Sequence, residues 1–177
     1  IRRGNPPYPY EPRLIIMEFT MLLIQAGAVS LLMFWLLTGV LENLFQPRIN
    51  SEFTAEVMDM ARMREAYPEL YQQVAYRRIA NPTVQKFLFW FIVGWETISL
   101  IALGIGFVSL LGAGFLGTDP DLARQCALIG VFCFTSIWAG FLVAGNWFCY
   151  WFGHEGAQNT HFQLLQWGVL TLILLSI

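Results

Sequence analysis

The sequence predicts an all-α membrane protein, an antiparallel four-transmembrane-helix bundle with an amphipathic helical loop between helices 1 and 2. Of its 177 residues, 56% are hydrophobic and only 12% are charged, whereas a soluble domain has about 25% charged residues. The charges are also segregated. Asp, Glu, Lys and Arg are absent from Phe19 to Leu41, from Cys126 to Gly153 and from Gly156 to Ile177. Because a helix needs about 20 apolar residues to cross a bilayer, these stretches and the run that begins at Phe87 predict four crossings.

Each predicted span has recognisable boundaries. A proline opens the first span at Pro12, and Pro47 stops it. Asn81-Pro82 and Asp119-Pro120 each combine an N-cap residue with a proline at the first helical position. The fourth span is near the lower length limit for a crossing. The predicted transmembrane helices cover 12–45, 82–117, 120–152 and 157–177.

Two segments are predicted to lie outside the hydrocarbon. The extended, proline-rich arm over 1–11 has a polyproline-like composition, and we expect it to lie across a partner's surface, although a disordered arm is the alternative. The loop over 46–81 contains apolar residues at helical spacing, which predicts one or two amphipathic helices on the membrane or against a partner. Four crossings place both termini on one face, called side A here, and this loop on the other face, called side B.

One acidic residue interrupts the second span. Between Phe87 and Gly117 the only charged residue is Glu96, and an ionised carboxylate costs about 3 kcal/mol or more inside a bilayer. With a helical rise of 1.5 Å per residue, Glu96 is expected about 13 Å below side B. The same count places a polar residue of each other span in this half, at depths of about 5 to 9 Å. These residues are Thr38, Asn146 and Gln166.

We therefore predict a polar, aromatic-walled pocket that opens toward side B beneath the loop. Most of the tryptophans fall in the same half, and an interfacial aromatic belt explains only some of them. Glu96 should face inward, with a hydrogen bond to Asn146 or to a backbone carbonyl. Three roles remain open for Glu96: a buried acid that only fixes helix packing, part of a lipid or quinone-like pocket, or a proton relay. The predicted pocket residues are Glu96, Asn146, Thr38, Gln166, Trp95, Trp147 and Trp151.

Two rows of small residues predict close contacts between helices. Ala102 and Gly106 form one row, and Ser136, Gly140 and Ala144 form the other. Small residues at this spacing let helix backbones approach where lipid supplies no hydrophobic driving force. The alternative is that these residue types are simply common in membrane helices.

Few residues have the patterns that catalysis or metal binding requires. His154 and His161 in HEGAQNTH match no standard zinc spacing, and further ligands are not evident. We expect them to be interfacial histidines with satisfied hydrogen bonds. The sequence has no P-loop, GxSxG or CxxC motif. We therefore expect no enzyme activity, no catalytic residue, no metal and no cofactor except a structural phospholipid. A net charge of −2 argues against a nucleic-acid partner.

Three stretches of the sequence, YRRIANP, WETISL and GFLVAGNWFCYWFGHEGAQNTHFQ, together resemble DUF2165, a family of small integral membrane proteins of proteobacteria. The resemblance runs from about Thr38 onward and implies four spans, a long first loop and a glutamate in the second span. Asn146 departs from the acid that members often have there, and the N-terminal arm is an addition. The family has no assigned reaction. The matching residues are Asn43, Phe53, Arg78, Pro82, Glu96, Gly145, Trp147, Phe148 and Trp151.

Together these patterns favour a non-catalytic accessory subunit of a larger energy-transducing, respiratory membrane complex. Its expected partners are membrane lipids and other membrane subunits, contacted through the arm and the 46–81 loop. The expected location is the mitochondrial inner membrane or a bacterial inner membrane. The alternative function is a small transporter, a proton relay or a quinone-pocket protein that uses Glu96.

Overall fold

The computed structural model describes residues 11–177 and shows an all-helical chain. Within this range, seven α-helices are joined by short connections, with two 3-10 turns at Ala75–Arg77 and Tyr150–Phe152. The predicted arm over 1–11 lies outside the described residues except for Glu11, which begins the first helix. The helices are α1 (Glu11–Phe45), α2 (Pro47–Met58), α3 (Ala61–Ala66), α4 (Pro68–Val74), α5 (Pro82–Leu116), α6 (Pro120–Trp147) and α7 (Glu155–Leu175).

Three of these helices are long and apolar enough to cross a membrane, namely α1, α5 and α6, by the length and composition of the described residues. The protein is therefore an all-α integral membrane protein. The predicted N-caps of α5 and α6 are present: the side chains of Asn81 and Asp119 each accept hydrogen bonds from two backbone N–H groups of the following turn. These bonds satisfy part of the helix N-terminus, where backbone N–H groups have no partner within the helix.

The long helices run antiparallel to their neighbours. On α1 and α5, Asn43 contacts Glu96 near one end and Phe19 contacts Phe115 near the other. The α5–α6 pair is also antiparallel, because the indole N–H of Trp95 reaches Ser136 while Gly106 lies against Ala127. Helix α7 packs along α6, and its buried residues join the core that the four helices share.

One of the two predicted small-residue rows lies at the α5–α6 contact. A Cβ added to Gly106 would lie 2.5 Å from the Cα of Ala127, and one added to Gly130 would lie 2.8 Å from the carbonyl carbon of Ala102. The first row therefore lies where two backbones meet, and its partners on α6 are Ala127 and Gly130. The second row does not pack in this way.

That second row, Ser136 with Gly140 and Ala144, was predicted as a helix-packing surface, and this prediction is wrong. Gly140 and Ala144 are exposed, and nothing lies within 4 Å of a Cβ built on Gly140. Ser136 accepts a hydrogen bond from Trp95 instead of allowing close backbone contact. The row misleads because spacing alone does not show which face of α6 meets α5.

A polar cluster ties the helices together at side A. The guanidinium of Arg124 donates to Glu18 (2.6 Å) and to the side-chain oxygen of Gln25 (3.1 Å). The amide nitrogen of Gln25 in turn donates to the backbone carbonyl of Leu174, at 3.0 Å. The buried Gln25 thereby connects α1 to both α6 and the end of α7.

The 46–81 loop contains three short helices rather than one or two. Met60 adopts a left-handed conformation (φ 50°) that separates α2 from α3. Met58, Met60 and Met63 are buried, and they fix this segment against the rest of the chain. Helix α2 continues along α5, because the amide of Gln85 donates to the carbonyl of Ala55.

Replacing Gly106 with alanine should destabilise the fold, whereas the same change at Gly140 should not. The new Cβ at residue 106 would meet the backbone of α6, so the two helices must separate, and overpacking of this kind costs about 1–3 kcal/mol. The measurement is thermal or SDS-induced unfolding of both variants in mild detergent. Equal stabilities would contradict the close α5–α6 contact.

Candidate functional site

A cavity of about 530 Å³ lies in the side-B half of the bundle. Helices α1, α5, α6 and α7 form its walls, and α2 covers one side. Its lining combines several aromatic side chains with a few polar ones. The aromatic lining residues are Trp35, Phe53, Phe89, Trp138, Phe141, Phe148, Tyr150 and His161, and the polar ones are Thr38, Glu42, Asn43, Asn50, Thr54, Glu96 and Thr160.

Glu96 is the buried acid of this cavity. Its side chain is held by Asn43, whose amide nitrogen donates to Oε2 of Glu96 at 2.8 Å. Both residues are only 6% exposed, so this bond is largely shielded from solvent. The pair links α1 to α5 at one wall of the cavity.

The hydrogen bonds continue from Asn43 to the surface. The amide nitrogen of Asn50 donates to Oδ1 of Asn43 (2.8 Å) and to Oε2 of Glu42 (3.1 Å). The amide of Asn43 thus donates to the carboxyl group of Glu96, and the amide of Asn50 donates to Asn43 and to Glu42. The result is a polar strip that runs from the buried Glu96 to the exposed Glu42 along one side of the cavity.

The part of the lining formed by α6, α7 and the turn between them contains buried polar atoms that have no hydrogen-bond partner among the described residues. They are Nε1 of Trp138, the hydroxyl of Tyr150 and Nδ1 of His161. Trp138 is 8% exposed and Tyr150 is 4% exposed. The ring of His161 stacks on Phe141 at 4.7 Å and lies 5.6 Å from Trp138. Buried polar groups normally have hydrogen-bond partners, and these three atoms are free to bond to water or to a bound molecule.

The turn between α6 and α7 explains why Tyr150 lies at this wall. Cys149 has a left-handed backbone (φ 54°), which ends α6 and reverses the chain. Gly145 makes room for the returning ring, because a Cβ there would lie 2.6 Å from the ring of Tyr150. Any side chain at residue 145 would therefore displace the tyrosine from the cavity.

A second set of contacts fastens α2 and α3 to the same turn. The guanidinium of Arg62 donates both to Glu56 and to the carbonyl of Gly153. His154 is buried beside them, with Phe53 packed edge-on at 4.9 Å. Burial lowers the pKa of His154, the charge of Arg62 lowers it further, and Glu56 opposes both effects. The neutral imidazole is therefore the form that this environment favours.

The predicted partner of Glu96 is wrong. Asn146 is exposed on α6, and Asn43 takes its place. The depth estimate placed Glu96 about 13 Å below side B and Thr38 only about 5 Å below it, so it gave no reason to expect Asn43, which is closer still to the end of the first span, beside Glu96. In the structure α2 extends the course of α1 along α5, so Glu96 lies beside the last turn of α1. Asn43 was singled out only through the family resemblance, and its depth gave no reason to pair it with Glu96.

Of the seven predicted pocket residues, the structure brings Glu96 and Thr38 to the cavity. The other five, Asn146, Gln166, Trp95, Trp147 and Trp151, do not line it. Trp147 faces the loop, where the guanidinium of Arg77 lies 5.1 Å from its ring. Gln166 and Trp151 are exposed. Spacing predicted how deep these residues lie but not which way they point.

Nδ1 of His154 and Nδ1 of His161 have no hydrogen-bond partner among residues 11–177, so the described chain does not supply the hydrogen bonds predicted for these two nitrogens. No group of three or more His, Cys, Asp or Glu residues within 11–177 is arranged to hold a metal ion. The three cysteines are free thiols.

Comparison with known proteins supports the family resemblance. The family described as "Predicted small integral membrane protein (DUF2165)" matches residues 21–177. The chain therefore belongs to this family, and the match begins earlier than the resemblance at Thr38 suggested. No curated protein and no solved structure matches the chain.

Replacing Asn43 with leucine should destabilise the protein more than replacing Glu96 with glutamine. The first change leaves a buried carboxyl group without its donor, which costs about 1–3 kcal/mol. A glutamine at residue 96 keeps an oxygen that accepts from Asn43. The measurement is unfolding of both single variants and of the double variant Asn43→Leu/Glu96→Leu, which removes both polar groups and should recover part of the loss. A fully stable Asn43→Leu protein would mean that the bond contributes nothing.

Proposed function

We propose that this member of the DUF2165 family binds the polar end of a small amphiphilic molecule in the cavity between its helices and α2. The single observation that carries the proposal is the composition of the cavity. A buried carboxyl group and three buried polar atoms, which have no hydrogen-bond partner among residues 11–177, line the same cavity. Binding would be non-covalent and non-enzymatic.

The energetics favour an occupant. A buried donor or acceptor without a partner costs about 1–3 kcal/mol, and three of them surround this space. Ordered water satisfies such groups in many proteins. The aromatic walls, however, provide apolar surface that a molecule with an apolar body would cover better than water would. A cavity of about 530 Å³ is also within the range of small-molecule sites.

The location suits an amphiphile. Helix α2, which contributes Phe53 and Thr54 to the lining, also has exposed charged residues such as Arg48 and Glu52, whereas α1 and α5 are long apolar helices. A molecule bound there would place its polar end among Glu96 and the unpartnered groups. Its apolar part would extend toward the hydrocarbon.

A fourth crossing by α7 belongs to this proposal. Its length of 21 residues is sufficient for a bilayer, although polar residues occupy its first turns. The carbonyl of Leu174 accepts a hydrogen bond from Gln25, which also accepts from Arg124 in the first turns of α6. Thus α7 extends from the turn at side B to the level where α6 begins. This supports the antiparallel bundle of four transmembrane helices.

The second candidate function is the accessory-subunit role in a respiratory complex, in the mitochondrial or a bacterial inner membrane. The observation that favours it is the exposed apolar surface of the extramembrane segment. Helix α4 buries none of its residues, and Tyr67, Leu70 and Tyr76 are all exposed. Such a surface suits a partner subunit or the membrane surface. The two candidate functions are compatible, since a subunit can also hold a ligand.

A structural phospholipid also has a suitable place. A groove of about 430 Å³ between α2 and α5 is lined by Arg48, Lys86 and Trp90. Basic residues next to an interfacial tryptophan attract anionic headgroups. The proton-relay alternative receives less support. The side-chain amides of Asn43 and Asn50 separate the carboxyl groups of Glu96 and Glu42, and a side-chain amide transfers a proton less readily than a hydroxyl group does.

Filling the cavity should abolish ligand retention without unfolding the protein. Gly39 lines the cavity and has open space around its Cβ position, so Gly39→Leu would project into the ligand volume. Gly27→Leu is the matched control, because Gly27 is on the same helix, is equally open and does not line the cavity. Mass spectrometry of small molecules extracted from both purified variants should show a bound compound only in the control and in the parent protein. A compound that is retained equally by all three would place it elsewhere.

The accessory-subunit role predicts that the protein migrates within a larger assembly after extraction in mild detergent. Native gel electrophoresis with identification of the co-migrating proteins is the measurement. Substituting Tyr67, Leu70 and Tyr76 together with serine should release the protein from the assembly, because these exposed side chains would lose their contacts. Migration of the parent protein as a monomer or homodimer would contradict this role.

A further inference from the structure

We propose that the cavity selects an organic cation, an ammonium group attached to an apolar body with an oxygen acceptor nearby. The inference rests on the proposed ligand-binding function and assigns the chemical class of the ligand. Three independent properties of the cavity lead to it: its charge, its aromatic faces and its unpartnered donors.

The lining is acidic in composition. Glu42 and Glu96 contribute two carboxyl groups, and no lysine or arginine is among the residues that line the cavity. Glu96 has no ion-pair partner within the described residues, where its hydrogen bond comes from a neutral amide. The phosphate or carboxylate of an anionic ligand would therefore meet two acids and no cation, which is unfavourable in a site removed from water.

The neighbouring cations are engaged elsewhere. Arg48 pairs with Glu52, and Arg62 pairs with Glu56. Arg77 lies over Trp147, on the side of α6 that faces the loop. Each of these arginines would have to break an existing contact before it could turn into the cavity and pair with an acid there.

The aromatic side chains provide the faces that bind ammonium groups. Trp138, Phe141 and His161 form a packed cluster, with Tyr150 stacked 6.2 Å from His161. Trp35 of α1 also lines the cavity. The negative faces of aromatic rings attract a cation, tryptophan most strongly, and aromatic cages combined with a carboxylate recognise ammonium groups.

The unpartnered donors specify the second feature of the ligand. Nε1 of Trp138 can only donate a hydrogen bond, and the hydroxyl of Tyr150 can also donate. An oxygen a few atoms from the ammonium group, in an alcohol, ester or ether, would accept from them. Amino alcohols and their esters combine both features, whereas a simple alkylammonium satisfies only the carboxyl group.

The test uses three probes that share one ring and differ in charge: benzyltrimethylammonium, benzyl alcohol and benzoate. Titration of the full-length protein in a neutral maltoside detergent, followed by tryptophan fluorescence and calorimetry, should show the cation binding at least about tenfold more tightly than either of the others, a preference of about 1.4 kcal/mol. Glu96→Gln should remove this preference, because it should lower the affinity for the cation at least about tenfold more than the affinity for benzyl alcohol.

Glu69→Gln provides the matched control for net charge, because it removes one acid from an exposed position on α4 that does not line the cavity. It should leave all three affinities unchanged. Trp138→Phe is the second test variant. It keeps an aromatic ring while it removes the indole N–H and weakens cation binding, so it remains informative if Glu96→Gln is poorly folded.

The outcomes separate this inference from the proposed function. Equal binding of benzyl alcohol and the cation, lost in Gly39→Leu and unaffected by Glu96→Gln, would overturn the cation inference and leave the binding cavity intact. Preference for benzoate, or no binding of the cation, would also overturn it. Dodecylphosphocholine is then added as a competitor of benzyltrimethylammonium, and displacement of the cation that Glu96→Gln abolishes would identify a lipid headgroup as the source of the ammonium. If the cation binds but dodecylphosphocholine does not displace it, the ligand is an ammonium compound without a phosphate.

Discussion

The close approach of α5 and α6 is the constraint on which the arrangement of the other helices depends. Gly106 and Gly130 let the two backbones meet, so that α5 can pack against α6 on one face and against α1 on another. In a bilayer the lipid tails are as apolar as the side chains, and helices associate through such packing and through hydrogen bonds. Helix α7 uses the same principle where Gly168 lies against Thr135.

In the side-B half, a small residue can also leave an open space instead of allowing a close contact. Gly39 has no neighbour within 4 Å of its Cβ position, and both Gly39 and Ala144 line the cavity. A small residue therefore permits either a close contact or an open space, depending on what faces it. This explains why one of the two rows could be predicted from the sequence and the other could not. Both rows have small residues four positions apart. Whether such a row forms a close helix contact depends on which neighbouring helix it faces.

The sequence predicted the class of the protein well. Charged residues are excluded from segments that lie in hydrocarbon, and an N-cap residue followed by proline marks where a helix begins. It also predicted that Glu96 would be buried among helices, because an isolated acid in a long apolar run has few other stable environments. It could not predict Asn43 as its partner. That pairing depends on the stagger between α1 and α5, which arises because the chain bends at Pro47 and continues along α5 as α2.

The stagger also connects the fold to the candidate site. Because α2 continues the path of α1, polar residues such as Asn50 and Glu42 reach the level of the buried carboxyl group. Asn43 of α1 supplies the donor to Glu96, and Asn50 of α2 extends the hydrogen bonds to Glu42. The α6–α7 turn, which depends on Gly145 and on the left-handed Cys149, brings Tyr150 to the same cavity. One bend and one turn therefore create a cavity whose lining combines carboxyl groups with aromatic rings, and this combination is the property that a ligand would recognise.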